Sequence, residues 1–297
     1  MHDGNPEALR RVAGSIGGMA AVDLLAGLSG SDFTTLMLEV ARRRAARQTP
    51  AGLLRRYRAD RFSEPGNTAY RSLLRAESLS VSRLPSDAEM VTLAPVVPLG
   101  THSVLDTVSQ HNIVTAMRAC EVAADPTNAL ALEAALRRRR SPGEVARLAG
   151  VQRVLRAQRF GAPHQAHFTL FGMVTAGRDT GDRRFETQAL TEHLRFAVDL
   201  LAEAGAREIQ VALTPLSPAG ELIGAAAAGG LPAAVGIDTG RQGGRGYYEH
   251  LCFKVNADGT EIGDGGFTDW TRQLTANSKE RLLTSGLGVD RLARMVG

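Results

Sequence analysis

Apolar positions along the chain follow two periods, helical in the first third and mostly alternating beyond it. From Ser31 and Asp32, residue types that cap helices, Phe33, Leu36, Met37 and Val40 recur at helical spacing and run into the basic stretch Arg42 to Arg47. This predicts a long amphipathic helix whose cationic end suits its dipole. Residues 1–30, rich in Gly and Ala, predict one helix, and a further helix is predicted around Tyr70 to Glu77. The texture then changes: Val91 to Pro98 is β-branched and bounded by Pro and Gly100, the pattern of a strand or edge strand. Ala129 to Arg140 predicts a helix ending in four consecutive Arg, Arg137 to Arg140, read as a solvated end. Ser141-Pro142-Gly143-Glu144 predicts the start of another helix, with a Ser cap, Pro in the first turn and Glu three residues after the Ser.

Val151 to Phe160 and Ala166 to Thr175 alternate on either side of Gly161-Ala162-Pro163, as in an antiparallel pair joined by a loop. Phe185 to Ala204 sets Leu190, Leu194, Val198 and Leu201 on one helical face, and Glu208 to Thr214 predicts a strand. Ala225 to Gly230 reads as a surface loop or close-packed turn. Tyr248 to Asn256 and Thr260 to Gly263 predict a hairpin around Asp258-Gly259. The apolar run from Leu282 ends in Gly286-Leu287-Gly288, with Arg291 on the first turn of an amphipathic helix. Strands with helices inserted between them define an α+β class with a mostly antiparallel sheet.

Composition narrows the class of protein without naming a ligand. A hydrophobic fraction of 43% and a charged fraction of 22% over 297 residues exclude disordered and fibrous chains. The net charge of +4 is modest, and Lys254 and Lys279 are the only lysines, an Arg bias that reads as genome composition rather than nucleic-acid binding. Cys120 and Cys252 lie far apart, without a Cys-x-x-Cys pair, which suits a reduced cytoplasm. Asp3 and Glu7 precede the apolar stretch Ile16 to Leu28 and Asp23 interrupts it, unlike a signal peptide, and no run approaches the roughly 20 apolar residues of a membrane span. His164 and His167 need not share a face, so no protein-held metal is expected. Glu261, Asp264 and Asp269 read as turn and surface acids, one of which could face a pocket, and Trp270 as core.

Three segments carry candidate chemistry. Arg156, on a strand with Gln158, offers a planar fork that can clamp an α-phosphate and a carboxylate together, and Phe168 on the paired strand can stack on a purine. Gly286 and Gly288 permit close backbone approach, and Arg291 adds a second planar cation. Gly240 to Gly246 is a Gly-rich loop carrying Arg241 and Arg245, either of which can supply the charge of a phosphate or carboxylate nest. No Ser-His-Asp or Cys-His arrangement for covalent catalysis is evident.

Arg156 to Gln158 with Phe168 resembles motif 2 of the class II aminoacyl-tRNA synthetases, and Gly286 to Arg291 resembles their motif 3, in the family's order. The histidyl type, including its regulatory paralog in histidine biosynthesis, is similar in three further places. These are Asp125-Pro126-Thr127-Asn128 ahead of a helix, the Tyr-Tyr strand Gly246 to Phe253, and the Gly-Gly turn Gly263 to Asp269. The resemblance implies a six- or seven-stranded antiparallel sheet flanked by helices over residues 91–297, and a homodimer formed through a helix in residues 1–90. It implies ATP with Mg²⁺, bound by Arg156, Gln158, Phe168, Gly286, Gly288 and Arg291, with Arg156 and Arg291 as the catalytic cations. An amino acid would lie against Thr127, Tyr247, Tyr248 and Arg241 or Arg245. The family departs from this chain at three acids: Gln158 stands for Glu, Thr127 for the acid that meets the α-amino group, and Lys254 for an acid after the Phe. These losses point away from histidine. Synthetases of this group carry an anticodon-binding domain after motif 3, whereas the sequence ends at Gly297, so anticodon reading is not expected. Two functions follow as expectations. One is activation of an amino acid as its adenylate for an acceptor other than an anticodon-selected tRNA, such as a carrier protein. The other is a non-catalytic regulatory subunit partnering a phosphoribosyltransferase.

Overall fold

A computed structural model describes residues 5–159, 161 and 165–297; His164 and most of the loop at 160–164 lie outside the described residues. Helices α1 (Pro6–Gly14), α2 (Met19–Ala26), α3 (Gly30–Ala45), α4 (Pro50–Ala59) and α5 (Tyr70–Ser82) come first, followed by strands β1 (Glu89–Met90) and β2 (Val96–Pro98). Then come α6 (Thr101–Leu105), β3 (Thr115–Ala116), β4 (Cys120–Val122), α7 (Pro126–Arg140), β5 (Ala146–Leu155), β6 (His167–Arg178), α8 (Arg184–Glu203) and β7 (Ile209–Pro215). The chain closes with α9 (Pro218–Ala228), β8 (Ala234–Ile237), β9 (Tyr248–Ala257), β10 (Thr260–Thr268), α10 (Trp270–Thr275), β11 (Glu280–Gly288) and α11 (Val289–Ala293).

The main sheet has eight strands in the order β1-β5-β6-β11-β10-β9-β7-β8, and β2-β4-β3 form a separate three-stranded sheet. β1 joins β5 in parallel and β8 joins β7 in parallel, while every other neighbour is antiparallel. The sheet is therefore mixed, and larger than the expected six or seven strands by short additions at its two edges. Its faces are covered unequally. Phe171, Met173, Leu283 and Phe253 pack one face against α8, with α5 and α11 alongside, and Leu73 and Ala76 of α5 belong to this core. On the other face α7 contributes Leu130, Ala131 and Ala134, which meet Leu148, Val174, Leu282 and Trp270.

The long helices lie where their periodicity puts them, including α3, which Ser29 caps through the Asp32 amide, and α8. The hairpin turn is also as expected, with Asp258 and Gly259 both at positive φ, 48° and 77°. Residues 1–30 hold two helices instead of one.

Four expectations are corrected. Val91 to Pro98 is not one strand: Val91 still donates to Ala149, but Pro95 and Pro98 lack amide hydrogens, and the chain turns away to form β2 in the smaller sheet. Ser141 to Glu144 starts no helix, because the Arg138 guanidinium bonds the carbonyls of Ser141, Pro142 and Glu144 and folds them into a turn that leads into β5. The Arg end of α7 is not simply solvated: Arg138 makes a two-pronged pair with Glu280 at 2.8 and 3.0 Å, both side chains 2% exposed. Ala225 to Gly230 is largely helix α9, begun by Pro at its first turn and a Ser217 cap. A side chain at Gly220 would strike the His250 carbonyl, so its glycines serve close packing on β9. Among the described residues no helix is long and apolar enough to cross a membrane.

Candidate functional site

On the face that carries α7, one row of residues runs in register across the main sheet: Gly150, Gly172, Gly286, Asp264, Lys254, Ala212 and Gly236. Three adjacent glycines leave a strip without side chains. Leu93 covers Gly150 and Pro126 covers Gly172, but a Cβ placed on Gly286 would meet nothing within 4 Å. The strip is thus bare at Gly286, and Asp264 stands beside it. Gly263 to Gly266 therefore form no turn. They run through the middle of β10, where side chains at Gly263 and Gly265 would strike the carbonyls of Gly286 and Thr284.

Asp264 is one wall of a cavity of about 180 Å³, whose other polar walls are His102, Asp106, Asn112, Asp125, Arg156, Gln158 and Tyr247. Arg156 follows the end of β5, and its Nε donates to the Ala124 carbonyl at 2.9 Å while Nη2 donates to Asp125 Oδ2 at 3.2 Å. Its guanidinium lies 5.2 Å above the Phe168 ring. Asp125 caps α7, accepting from the Thr127 amide at 2.9 Å and the Thr127 hydroxyl at 2.7 Å, so Thr127 orients Asp125 and is not itself a cavity wall.

The opposite side of the cavity is set by the loop at 240–246. Arg241 is buried and uses its whole fork: Nη2 donates to Asp264 Oδ2 at 2.7 Å, Nη1 to the Phe253 carbonyl and Nε to the Gly243 carbonyl, each at 2.8 Å. Arg241 reaches the cavity only through Asp264, and Arg245 is exposed. Tyr247 lines the cavity and stacks on Trp270 with ring centroids 6.0 Å apart. Tyr248 lies behind it, beneath Arg241 and over Gly266. Burial holds both phenols above their ordinary range.

Asp106, which carries no motif to single it out, completes the walls. His102 fixes it from one turn back, accepting from the Ala124 amide at 3.0 Å through Nε2 and facing Asn128 Oδ1 at 2.7 Å through Nδ1. Asp106 Oδ1 is buried and has no hydrogen-bond partner among the described residues. Burial first, then the nearby Asp125 carboxylate, pushes its pKa up to about 8 against the opposing pull of Arg156, with Asp264 adding a smaller push. Burial also raises Asp264, which Arg241 partly offsets.

Against known protein families no match is found, and no curated protein matches in sequence. Solved structures do match. An ATP phosphoribosyltransferase regulatory subunit/histidyl-tRNA synthetase from Bacillus halodurans C superposes with a TM-score of 0.63 at 14% identity, over 80% of this chain and 83% of that one. A histidine–tRNA ligase subunit from Alicyclobacillus acidocaldarius gives 0.60 at 15%, over 78% and 95%. The apo histidyl-tRNA synthetase of S. aureus gives 0.55 at 15%, over 76% and 65%. The fold is that of a class II aminoacyl-tRNA synthetase core. At these identities the likeness is one of architecture, and the chemistry has to be argued from this chain's own residues.

In this synthetase-like frame, Arg156, Gln158 and Tyr247 meet in one cavity, with Phe168 beneath Arg156 and the bare backbone of Gly286 on the adjoining floor. Gly288 caps α11 and carries the Arg291 stem, 3.2 Å from where its own Cβ would be. Arg291 is not a cavity wall. It donates to the Glu261 carbonyl and pairs with the Glu261 carboxylate at 3.7 Å, which also binds Lys254 at 2.8 Å. The segment between α4 and α5 crosses both signature regions. Arg61 donates to the carbonyls of Ala157 and Gln158, and Asp290 accepts from the Thr68 hydroxyl at 2.7 Å and the Thr169 amide at 2.6 Å. Among the described residues no group of three His, Cys, Asp or Glu could hold a metal ion.

Proposed function

We propose that the cavity binds an amino acid and that the chain activates it with ATP as an aminoacyl adenylate. The observation that carries this reading is the meeting of Arg156 with three aspartates and Tyr247 in one small cavity beside the bare strip at Gly286. An Arg fork and carboxylates in one cavity match the carboxylate and ammonium of a free amino acid. ATP, with Mg²⁺ on its phosphates, supplies the electrophilic α-phosphorus when bound. Gly286 and Gly288 leave room for the nucleotide, Phe168 and Arg291 offer planar faces to its base, and Gln158 lies beside Arg156. Arg156 then stabilises charge as it builds on the non-bridging oxygens, a role that needs no side-chain nucleophile. Glu261 is engaged by Lys254 and Arg291, so Mg²⁺ would be held chiefly through the phosphates of ATP.

A second reading has its own observation: the chain's acids already hold both arginines that would grip the nucleotide, Asp125 on Arg156 and Glu261 on Arg291. This favours a regulatory protein that partners a phosphoribosyltransferase. Amino-acid-dependent exchange of pyrophosphate into ATP, measured over a broad amino-acid panel, separates the two. Exchange with one amino acid supports activation; none with any, at high enzyme concentration, sinks it. Co-purification with a phosphoribosyltransferase and stimulation of its rate supports the second reading.

Residues 1–90 are assigned to homodimer formation in the cytoplasm. Leu9, Ile16, Leu24, Leu53, Leu54 and Tyr57 are exposed on α1, α2, α4 and their connections, and Ala13 is the one buried residue of α1 to α4 among the described residues. Light scattering of the full chain tests this, with a monomer at micromolar concentration as the contrary result.

A further inference from the structure

We propose that the cavity selects an amino acid whose side chain carries a second cation, of the lysine or ornithine kind, and that Asp106 is the residue that selects it. This rests on the reading of the cavity as an amino-acid site, and it follows from counting the charges that a ligand would meet. Three aspartate carboxyl groups face the cavity, and two arginines answer two of them, Asp125 and Asp264. Arg241 is buried with its fork spent on Asp264 and two backbone carbonyls, so Asp264 stays compensated whatever binds. Arg156 is different. Its bond to Asp125 is longer, at 3.2 Å, and it is the one cation among the cavity's described walls.

An incoming carboxylate therefore draws on Arg156, and Asp125, released from it, meets the ligand's α-ammonium. That exchange uses both charges common to every amino acid and leaves Asp106 unanswered. Its Oδ1 is buried without a partner among the described residues, and a neutral aliphatic side chain would leave it so, at the cost of an unmade hydrogen bond to a buried acceptor. A terminal ammonium supplies the donor and the charge together, in a field already made negative by Asp125 and Asp264. Val108, Ile113 and the Tyr247 ring are among the walls and offer apolar surface to the stem of such a side chain. A volume of about 180 Å³ lies below the roughly 300 to 1,000 Å³ of drug-sized pockets and fits a free amino acid.

Calorimetric titration of the full chain with lysine, ornithine, norleucine, glutamine and histidine tests the inference directly. Lysine or ornithine is expected to bind at least roughly ten-fold more tightly than norleucine, glutamine or histidine, the discrimination of one charge-assisted hydrogen bond. Asp106→Asn is expected to bring lysine and norleucine within about two-fold of each other. Equal binding of lysine and norleucine by the wild type overturns the inference. So do tight binding of glutamine or histidine, a preference that survives in Asp106→Asn, and binding of none of them. Pyrophosphate exchange on the same samples keeps the two readings apart. Lysine bound without exchange removes activation and leaves the selection, whereas exchange driven best by a neutral amino acid removes the selection and leaves activation.

Discussion

Gly286→Val and Gly172→Ala alter neighbouring positions of one row on the same face, and their surroundings give them opposite fates. Neither glycine has a positive φ, so backbone strain does not enter at either position. At Gly172 a new Cβ would stand 2.8 Å from Cγ and 3.0 Å from Cβ of Pro126, and 3.2 Å from Cδ1 of Leu130. Pro126 is the rigid first residue of α7, so the helix itself has to move, an overpacking cost of about 1–3 kcal/mol. At Gly286 nothing lies within 4 Å, and replacing a strand glycine there stiffens the unfolded chain, a gain of about 0.4–1 kcal/mol. The two variants should thus differ by roughly 1.5–4 kcal/mol in urea unfolding, with Gly286→Val at or above wild type. The same Gly286→Val side chain fills the open strip beside Asp264 that the nucleotide would use and should weaken ATP binding. Trp270, the single tryptophan, stacks on the cavity wall Tyr247 and reports both unfolding and binding by fluorescence. A Gly286→Val protein as unstable as Gly172→Ala, or one that binds ATP unimpaired, would refute the open floor.

Glu280→Gln leaves the buried Arg138 without its anion and is expected to lower unfolding stability by about 3 kcal/mol, read from the urea midpoint; a change under about 1 kcal/mol would show the pair to be dispensable. His193, fully enclosed between Thr175 at 3.0 Å and Ser285 at 2.8 Å, has its pKa lowered to about 3 by burial and, less, by Arg147. The unfolded chain protonates this imidazole below about pH 6.5 and the folded one does not, so its contribution is complete above that pH and is lost as pH falls towards 3. The stability difference between wild type and His193→Gln should shrink by roughly 2–3 kcal/mol from pH 7 to pH 4.5, whereas a pH-independent difference would mean that the imidazole takes up its proton in the folded state. Asp106, at about 8, is mostly protonated at pH 7, so an ammonium bound there expels close to one proton. Calorimetry in two buffers of unlike ionisation heat should show that release at pH 7 and little at pH 9; identical heats at pH 7 would argue against Asp106 as the partner.

Much of the architecture could be read locally. α8 follows from four leucine and valine positions on one face, the Asp258-Gly259 turn from two residues that tolerate positive φ, and the β11-to-α11 junction from Gly-x-Gly and a flanking Arg. What escaped depends on partners far along the chain. The turn after α7 exists because Arg138 reaches Glu280, 142 residues away, and gathers three carbonyls on the way. The glycines of β10 read as a turn until β11 lies against them. At the site, Arg156, Phe168 and Tyr247 carried signals because their residue types suit nucleotide and amino-acid chemistry in that order. Asp106 carried none: a lone aspartate after a five-residue helix joins Asp125 and Asp264 only through the His102 contacts that pin α6 to the start of α7.

The segment from Arg61 to Thr68 ties chain positions that are otherwise nearly a hundred or more residues from it. Arg61 holds the carbonyls at 157 and 158, and Thr68 shares Asp290 with the Thr169 amide. A protein cut just before Tyr70 would keep every strand of the main sheet, yet it would expose the carbonyls and carboxylate that this stretch now satisfies. For anyone preparing a shortened protein, the useful starting point lies ahead of Asp60, and a core trimmed further is a different binding site rather than a smaller copy of the same one.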